Sequence, residues 1–414
     1  MHTLQPGHPD AASVCSFLKK LFHADSRHLV WLAGGSVRDS LLGKKIRDID
    51  LVAVLPADRL EALGFKHVAA VTTTPIWFRH FRDYGTVEIT RLDRSESLVD
   101  DLIRRDFTLN AILMTLDGEI LDPLAGQTAL QELSIVPCSP GTFLNDPIRI
   151  FRAFRFESEG FRLSAEAETL IRSRGWDEDL QRMPVERFGR EMQKAMQGDS
   201  PWRFFLGMVE TGVGSGLLPE LFRMAQIPAG PLQHHPEGDL LTHSLQVLER
   251  VSAVTGSPLA RFCAFFHDIG KLATDPMLYP KHHGHDEAGF NSAEDFCRRL
   301  ALPAAYGHAL AWTSRLHGNA NRLAELRPAT RIRMAQQAAR GGIAEMLPLI
   351  SAADKSGSDI SAEWRELLAI ARMNLNDLGV DSEKLYLLEP EKRSEFILQR
   401  RVEFLKKTGR AVIS

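Results

Sequence analysis

The spacing of apolar residues changes along the chain, and the change divides it into two parts. Short apolar or alternating runs predict strands at 28–33, 49–54, 86–91, 111–115 and 120–121. Beyond residue 140 the apolar residues recur at helical intervals, which predicts helices at 147–159, 165–173 and 185–196. Almost every periodic segment after Leu240 is also typical of a helix. We therefore predict an α+β protein with a small α/β head and a long all-helical body.

Two segments rich in proline and glycine interrupt these patterns. The first, 137–143, holds two prolines and a glycine, and the second, 226–236, holds three prolines and a glycine. Such residues break regular structure and are common between domains. We expect a boundary at each.

Composition is that of an ordinary folded protein. Of the 414 residues, 44% are hydrophobic and 25% charged, which excludes a wholly disordered chain. No apolar run approaches the ~20 residues that span a bilayer. We also see no basic segment followed by an apolar run, which is the pattern of a secretory signal. The four cysteines lie far apart without a CxxC pair, which favours reduced thiols. We expect a cytoplasmic protein with no membrane partner.

The net charge of −3 excludes a polycation, but arginine is locally dense. Nucleic-acid binding depends on a local basic face rather than on the total charge. The arginines concentrate in two neighbouring stretches, at positions 149, 152, 155 and 162 and then at 182, 187 and 190.

A glycine pair and two aspartates are the strongest chemical signal in the head. Gly34 and Gly35 fall between a predicted strand and a helix, where the missing Cβ atoms let a polyphosphate approach the helix N-terminus. Asp48 and Asp50 lie two apart on a predicted strand and so share one face, as ligands of a two-metal site would. Glu88, on another strand, is a candidate third oxygen ligand. Taken singly, each feature is equally typical of a turn or of a solvated strand edge.

Three blocks in this order resemble class II tRNA nucleotidyltransferases and the related bacterial poly(A) polymerases. They are GGSVRDSLLG with RDIDLV at 34–52, RRDFTLNA at 104–111 and NDPIRIFRAFRF at 145–156. The resemblance covers at least 32–161 and continues more weakly through the helical body. It implies a palm-like head with a mixed β-sheet, followed by an all-α neck, body and tail.

The resemblance also implies roles for individual residues. Asp48 and Asp50 would bind Mg²⁺ and activate the RNA 3′-hydroxyl, and Glu88 is the third catalytic candidate. The triphosphate would lie on Gly34, Gly35, Ser36 and Arg38. The sugar and phosphates of the incoming nucleotide would contact Arg104, Arg105, Asp106 and Asn110. The implied substrates are CTP and ATP, and the implied partner is tRNA.

Asp146 and Arg149 are spaced i, i+3, so their side chains share a helix face. A carboxylate can accept from an exocyclic amine while a guanidinium donates to ring acceptors, an order that cytosine and adenine offer and uracil and guanine do not. The family assigns this pair to base selection, and Arg152 and Arg155 on the same helix are further nucleotide-binding candidates. The alternative is a surface ion pair worth ~0–1 kcal/mol.

Two features depart from the usual family pattern. Asn145 stands where members usually have Glu, and we expect it to cap the start of the helix before Pro147. Only 89–103 separates Glu88 from Arg104, whereas full CCA-adding members usually carry a longer flexible loop that CC-adding members lack. The short connection favours CC addition, with a separate A-adding enzyme as partner. Poly(A) synthesis is the alternative, although 71–81 lacks the basic-aromatic-Val-His block expected of poly(A) polymerases.

Histidines concentrate in the body, where nine of the fifteen lie between 234 and 317. His243, the adjacent pair His267 and Asp268, and Asp354 are ordered as in HD-type metal-dependent phosphohydrolases. Nitrogen and oxygen ligands of this kind suit Mn²⁺, Ni²⁺ or Mg²⁺, and the His-His-Gly-His run at 282–285 could close the site or hold a phosphate. The alternative is that these histidines only cap helices or pair in a core.

With the family resemblance, the boundaries predict four parts. They are a nucleotidyltransferase head at 1–140, a base-selecting helical neck at 141–225, an HD-type domain at 226–360 and a helical, tRNA-binding tail at 361–414. The tail carries the basic stretch 392–407. Two other functions stay open: an HD phosphohydrolase acting on 2′,3′-cyclic phosphates or phosphate monoesters, and an RNA-binding protein without catalysis.

Overall fold

The computed structural model describes residues 9–46, 48–68, 76–93, 97–355 and 359–411. It divides into two compact units, Met1–Gly175 and Trp176–Ser414. The division falls inside the segment predicted as the neck, and the four-part organisation stays a prediction. Arg47, the first residue of RDIDLV, and residues 71–75 of the segment 71–81 lie outside the described residues.

A mixed sheet forms the centre of the first unit. In the described residues its strands are β1 (Val30–Ala33), β2 (Ile49–Ala53), β3 (Lys66–Val68), β4 (Ile76–Phe81), β5 (Gly85–Arg91), β6 (Leu113–Thr115) and β7 (Ile120–Leu121). The strand order is β3-β4-β5-β2-β1-β6-β7, with β2 and β5 parallel and the other pairs antiparallel. The five predicted strands and the α+β class are confirmed. The sequence missed β3 and β4, whose apolar positions do not alternate cleanly.

Short helices precede, connect and follow these strands in the chain. They are α1 (Ala11–Leu21), α2 (Gly34–Leu41), α3 (Ala57–Ala62), α4 (Leu98–Ile103), α5 (Gly126–Gln131), α6 (Thr142–Asn145), α7 (Ile148–Ser158) and α8 (Ala165–Arg172), with 3-10 turns at Arg27–Leu29 and Thr108–Asn110. A small parallel pair joins β8 (Ser134–Ile135) to β9 (Arg162–Leu163). One core cluster buries Ala33, Val52 and Leu113 of the sheet against Leu102 of α4.

Helix α7 buries its phenylalanines and leaves two of its arginines partly exposed. Its Phe151, Phe154 and Phe156 are fully buried, and burying such rings stabilises the fold by about 2 kcal/mol or more each. Arg149 and Arg152 remain partly exposed. The expectation that Asn145 caps this helix is wrong, because Asn145 ends α6 and Pro147 occupies the N-cap of α7.

The second unit is helical in its described part. Its helices are α9 (Asp177–Gln181), α10 (Val185–Ala195), α11 (Trp202–Thr211), α12 (Pro219–Met224), α13 (Leu240–Val254), α14 (Pro258–Phe266), α15 (His285–Arg299), α16 (Ala304–Ala320), α17 (Pro328–Arg340), α18 (Leu347–Asp354), α19 (Ser361–Arg372), α20 (Ser382–Tyr386) and α21 (Pro390–Ala411). Shorter 3-10 turns lie at Ile269–Ala273, Pro276–Leu278 and Leu323–Glu325. In the described residues, no helix has the length and apolar character needed to cross a bilayer.

Packing around α14 places the histidine-aspartate pair. Phe265 stacks on Phe205 of α11 with ring centroids 4.0 Å apart, and buried Arg261 donates to the carbonyls of Met196 and Gly198 at 2.8 Å each. These contacts satisfy carbonyls at the end of α10 that its own hydrogen bonds leave open. They also fix α14, at whose end His267 lies.

Candidate active site

The carboxylates predicted as catalytic lie on neighbouring parallel strands. Asp50 of β2 pairs in register with Glu88 of β5, and Asp48 stands one residue before β2. Asp48 and Glu88 are exposed, whereas Asp50 is partly buried. Burial, followed by the charges of Glu88 and Asp48 against the opposing effect of Arg105, raises the pKa of Asp50 to about 6.

Charge and donor type at these strands suit Mg²⁺. Carboxylate oxygens are the ligands it prefers, and it usually keeps several waters and substrate phosphates in its coordination shell. In the described residues, every set of three metal-ligating groups within 4.8 Å of one another lies in the second unit. That the head carboxylates hold Mg²⁺ stays a prediction.

Ser36 ties the glycine motif to the aspartate motif. Its hydroxyl donates to the carbonyl oxygen of Asp48 at 2.8 Å and accepts from the backbone N–H of Asp50 at 2.8 Å. The side chain is buried. Ser36 thus positions the backbone of both aspartates, and the structure assigns it a supporting role that does not require contact with phosphate.

The missing Cβ atoms of the two glycines let Asp50 lie close to their backbone. A Cβ at Gly34 would lie 3.3 Å from Asp50 Oδ2 and 3.4 Å from Arg105 Nη1, and one at Gly35 would lie 3.8 Å from Asp50 Oδ2. Gly34 also has a φ of +59°, which other residues adopt at a cost. A carboxylate and a guanidinium therefore both lie close to the backbone at the start of α2.

A network of polar groups joins the remaining predicted nucleotide-binding residues. Arg38 donates to Asn110 Oδ1 at 2.7 Å, and Asn110 Nδ2 donates to Asp106 at 3.0 Å. Arg152 Nε donates to the same carboxylate at 2.8 Å. Burial alone would raise the pKa of Asp106, but Arg152, Asn110 and the backbone N–H of Phe107 outweigh it and hold the pKa far below its ordinary value.

Arg105 and Arg149 are fixed by other contacts. Arg105 forms an ion pair with buried Asp101, one turn earlier, at 2.9 Å. Arg149 donates to the carbonyls of Arg104, Arg105 and Thr142 at 2.7, 3.1 and 3.2 Å. The Arg149 side chain thereby positions the Arg104–Arg105 segment, and its contact with a base stays a prediction.

The other candidates on α7 differ in their surroundings. Asp146 is partly exposed in extended backbone just before the helix. Arg155 is buried, pairs with Glu159 and lies over the Phe156 ring, 4.0 Å from its centroid. The contacts of Arg155 favour a structural role within the helix, and its assignment to the nucleotide stays a prediction.

The histidine-aspartate residues predicted in the body converge in the second unit. His243 Nε2 lies 3.0 Å from Asp354 Oδ1 and 3.8 Å from Asp268 Oδ2, and His267 Nε2 lies 3.2 Å from Asp268 Oδ2. All four side chains are at least nine-tenths buried. The N-terminal turn of α13, the end of α14 and the end of α18 contribute them.

Hydrogen bonds at the Nδ1 atoms orient the imidazoles of His243 and His267 for metal binding. His267 Nδ1 lies 2.8 Å from the carbonyl of Ala264, and His243 Nδ1 lies 2.7 Å from Glu237 Oε1. In the neutral form of each ring, Nδ1–H donates to that oxygen, and Nε2 keeps a lone pair that can bind a metal ion. Both Nε2 atoms lack a hydrogen-bond partner among the described residues, which fits a divalent cation at the centre of the cluster.

The charges in the cluster require a positive charge among its carboxylates. Burial would lower the pKa of His267, but Asp268 and Asp354 raise it to about 10. Burial would likewise raise the pKa of Asp354, but His267 and His243 hold it well below its ordinary value. Buried carboxylates of this kind need a cation beside them, whether protons on histidine or a metal ion.

Several residues that contact the predicted site residues were not predicted from the sequence. Glu237, Asn321 and Lys271 contact His243, Asp354 and Asp268 at 2.7, 2.6 and 2.6 Å. In the head, Asp101 was missed although its i, i+4 spacing from Arg105 is a signal that a sequence can give. Asn321 is 33 positions from Asp354, and no pattern in the sequence connects the two.

Three family models match successive parts of the chain. Residues 30–136 match the "Poly A polymerase head domain", 160–224 match the "Probable RNA and SrmB- binding site of polymerase A", and 240–351 match the "HD domain". A multifunctional CCA protein of Legionella pneumophila subsp. pneumophila is 34% identical over 327 residues, which cover 74% of this chain and 79% of the relative. The chain belongs to the multifunctional CCA protein family. Another member, from Methylococcus capsulatus, is 34% identical over 322 residues, covering 72% of this chain and 74% of that one.

Membership of the multifunctional CCA protein family confirms the resemblance and the enzyme class, a nucleotidyltransferase with an HD domain. Solved structures agree at the level of the fold. The Thermotoga maritima CCA-adding enzyme complexed with tRNA has a TM-score of 0.62 at 20% identity, covering 96% of this chain and 94% of that one. The Bacillus stearothermophilus CCA-adding enzyme in complex with CTP has a TM-score of 0.60 at 22% identity, covering 95% and 88%.

Proposed function

We propose that the head transfers CMP from CTP to the 3′ end of tRNA, without a template and with release of pyrophosphate. The observation that carries the proposal is the close approach of the Asp50 carboxylate and the Arg105 guanidinium to the backbone of Gly34, where a side chain would crowd both. A triphosphate bound beside these groups would meet the backbone N–H groups at the start of α2 and the arginine. Action on tRNA fits the cytoplasmic location predicted from the cysteine pattern.

In the proposed reaction, the RNA 3′-oxygen forms a bond to the α-phosphorus, and the bond from that phosphorus to the bridging oxygen of the β-phosphate breaks. Asp48 and Asp50 would hold magnesium, which neutralises the charge on the phosphates and on the attacking oxygen. Ser36 keeps both aspartates in place through their backbone atoms. Arg105, held by Asp101, balances the charge that develops on pyrophosphate.

Base choice would fall to the start of α7. The Asp146 carboxylate can accept from the amine of cytosine, and the Arg149 guanidinium can donate to its ring acceptors. Uracil offers the opposite order of groups, so UTP would leave donors and acceptors unpaired. Because Arg149 also anchors the Arg104–Arg105 segment, base choice and triphosphate binding would be coupled.

We further propose that addition stops after two C residues. Strand β5 ends at Arg91 and α4 begins at Leu98, so little chain is available for the longer loop that full CCA-adding members usually carry. AMP would then come from a separate A-adding enzyme. Names of the relatives, which refer to CCA as a whole, favour the alternative in which this chain also uses ATP.

The transfer reaction can be tested with charge-removing variants. Asp48→Asn and Asp50→Asn should each lower CMP incorporation into tRNA lacking CCA by roughly 10³-fold, while tRNA binding stays unchanged. Asp58→Asn is the matched control, because Asp58 is an exposed aspartate that caps the N–H of Arg59. Full activity in Asp50→Asn would refute the proposal.

A second activity is favoured by the cluster around His267. A buried site of histidine nitrogens and carboxylates suits metal-assisted hydrolysis of phosphate esters, and a 2′,3′-cyclic phosphate or a phosphate monoester at an RNA end is the substrate implied by the resemblance. Hydrolysis should depend on added Ni²⁺ or Mn²⁺ and be lost in His267→Ala, with CMP transfer retained. If Asp50→Asn abolished both activities, separate sites would be excluded.

A further inference from the structure

We propose that the face of the head sheet that carries Asp50 continues into a binding surface for the unpaired 3′ end of the RNA that is extended. The ring of Phe78 stacks on the base of the terminal nucleotide, and the ammonium group of Lys66 contacts the phosphate that precedes it. The inference rests on the proposed transfer reaction, because it concerns how the attacking 3′-hydroxyl reaches the carboxylates.

Strand register places these residues in one row across the sheet. Asp50 of β2 pairs with Glu88 of β5. Glu88 also pairs with Phe78 of β4, which in turn pairs with Lys66 of β3. Side chains of residues paired in this way lie on the same face. Since neighbouring strands lie about 4.8 Å apart, the backbone of Phe78 is roughly 10 Å from that of Asp50. A nucleotide whose 3′-hydroxyl lies at Asp50 can therefore extend its base to Phe78.

Phe78 is exposed, although the aromatic residues on the other face of β4 are packed. Its exposed fraction is 37%, whereas that of Trp77 is 4%. Phe81, on the same face as Trp77, contacts the rings of Phe17 and Phe65. Within the described residues, Phe78 contacts no other aromatic ring. An exposed ring next to a basic side chain is typical of surfaces that bind single-stranded nucleic acid by stacking.

The same face of the sheet is covered on the other side of Asp50. Val52, two positions after Asp50 on β2, packs in a buried core cluster with Leu102 of α4. Glu88 and Lys66, by contrast, are exposed. Along the described part of this face, the exposed approach to Asp50 therefore crosses β3, β4 and β5.

The direction of attack agrees with this approach. Gly34 follows β1, and β1 and β5 lie on opposite sides of β2. A triphosphate beside Gly34 would therefore place pyrophosphate on the β1 side of Asp50. In phosphoryl transfer the attacking and leaving oxygens are roughly in line, so the RNA oxygen would arrive from the side of Glu88 and Phe78.

The charge of Lys66 suits a phosphate of the RNA. Its side chain is exposed and forms no ion pair with the described residues. Lysine contacts with phosphate add affinity without reading sequence, and stacking on a ring tolerates every base. The surface should therefore accept an RNA end with any terminal base.

Kinetics with altered RNA ends tests the stacking contact. Phe78→Ala should lower kcat/KM for tRNA lacking CCA about ten- to hundredfold and leave the KM for CTP unchanged, whereas Phe78→Tyr should stay close to wild type. With an abasic nucleotide at the RNA 3′ end, wild type and Phe78→Ala should become equal, because the contact is then already lost. The matched control is Leu121→Ala, since Leu121 of β7 is also 37% exposed.

Two kinetic results would overturn the proposal. One is a raised KM for CTP in Phe78→Ala, which would place the ring against the incoming nucleotide. The other is an equally large effect of Phe78→Ala on intact and abasic RNA ends.

The salt dependence of tRNA binding tests the phosphate contact. In Lys66→Gln, the slope of log affinity against log salt concentration should become less steep by about 0.7. Lys20→Gln, an exposed lysine of α1, should leave the slope unchanged. An unchanged slope in Lys66→Gln would refute the phosphate contact.

Binding measured without CTP separates this inference from the transfer reaction. A 2-aminopurine base at the 3′ end of tRNA lacking CCA loses fluorescence when it stacks on a ring. Wild type and Phe78→Tyr should quench it at saturation, and Phe78→Ala should not. Quenching by a wild type that transfers no CMP would refute the proposed function alone. CMP transfer with equal quenching by wild type and Phe78→Ala would overturn this inference alone.

Discussion

Asn110 accepts a hydrogen bond from Arg38 at 2.7 Å although 72 positions separate the two in sequence. The same amide donates to Asp106, which Arg152 of α7 also contacts. Groups predicted to bind the triphosphate and the sugar, together with the nucleotide-binding candidate Arg152, are therefore parts of one network. Substitutions within it should affect both stability and nucleotide binding.

Replacing Arg152 should destabilise the first unit in a pH-dependent manner. Arg152→Met removes the cation of a largely buried ion pair, which should lower the free energy of unfolding by about 2 kcal/mol at pH 7. In the wild type the pKa of Asp106 is lowered, so the stability from the pair is present above the unfolded pKa of about 3.9 and is lost as the pH falls below it. In the variant, burial raises that pKa instead, so the difference shrinks with falling pH.

Denaturant unfolding at several pH values measures this difference. The control is Arg172→Met, whose partner Glu168 is about half exposed and whose loss should cost less than about 0.5 kcal/mol. A difference between Arg152→Met and wild type that stayed constant from pH 7 to pH 3.5 would show that the pair does not act through the charge of Asp106.

Gly34 offers a test of the proposed triphosphate site. Gly34→Ala places a methyl group between Asp50 and Arg105, and the KM for CTP should rise at least about tenfold. Gly43→Ala is the matched control, because Gly43 has a similar φ of +67° but open space around its Cβ position. Both variants should lose about 1 kcal/mol of stability through backbone strain. Equal KM values for the two would place the triphosphate elsewhere.

Arg149 should control base choice through the shape of its guanidinium. Arg149→Lys keeps the charge but lacks the planar fork that donates to several acceptors at once. We expect the preference for CTP over UTP, measured as the ratio of kcat/KM values, to fall about tenfold or more. Arg162→Lys, an exposed arginine of β9, should leave the ratio unchanged. An unchanged ratio in Arg149→Lys would remove this residue from base selection.

Glu237 should tune metal affinity in the body without binding metal itself. Its Oε1 accepts from Nδ1 of His243 at 2.7 Å and of His235 at 2.9 Å. Glu237→Gln weakens these bonds and should lower Ni²⁺ affinity about 10–100-fold, as titration calorimetry would measure. Glu249→Gln, an exposed residue of the same helix as His243, should have no effect. Unchanged affinity in Glu237→Gln would argue against a bound ion at His243.

Local spacing predicted a large part of the fold and the candidate residues. The pairing of Asp50 with Glu88 belongs to a parallel ladder between strands that are not adjacent in sequence, yet both carboxylates could be selected because each lies in a recognisable strand pattern. The strand at 76–81 was missed since each of its faces mixes aromatic and basic residues. Arg79 lies on the face of Trp77, and His80 lies on the face of Phe78. Strand patterns fail where neither face is uniformly apolar.

Contacts between residues that are far apart in the sequence could not be predicted from it. The carbonyl contacts of Arg149 span 44 and 45 positions, and nothing in a helix pattern indicates that its guanidinium turns towards the backbone of Arg104 and Arg105. Asn145 was misplaced because a good N-cap residue before a proline is also compatible with the end of a preceding short helix. No sequence pattern connects His317 with Asp268, although His317 Nε2 lies 3.2 Å from Asp268 Oδ1.

The central claim, that the head builds the tRNA 3′ terminus, is tested most directly by sizing reaction products at single-nucleotide resolution. Three tRNA transcripts, ending before CCA, after the first C and after the second C, would be incubated with the pure protein, Mg²⁺, CTP and ATP. We predict addition of two, one and no nucleotides, respectively, all of it lost in Asp50→Asn. Extension of the third transcript by one A would refute only the stop after CC. No extension of any transcript, or a long ladder of A residues, would contradict the account.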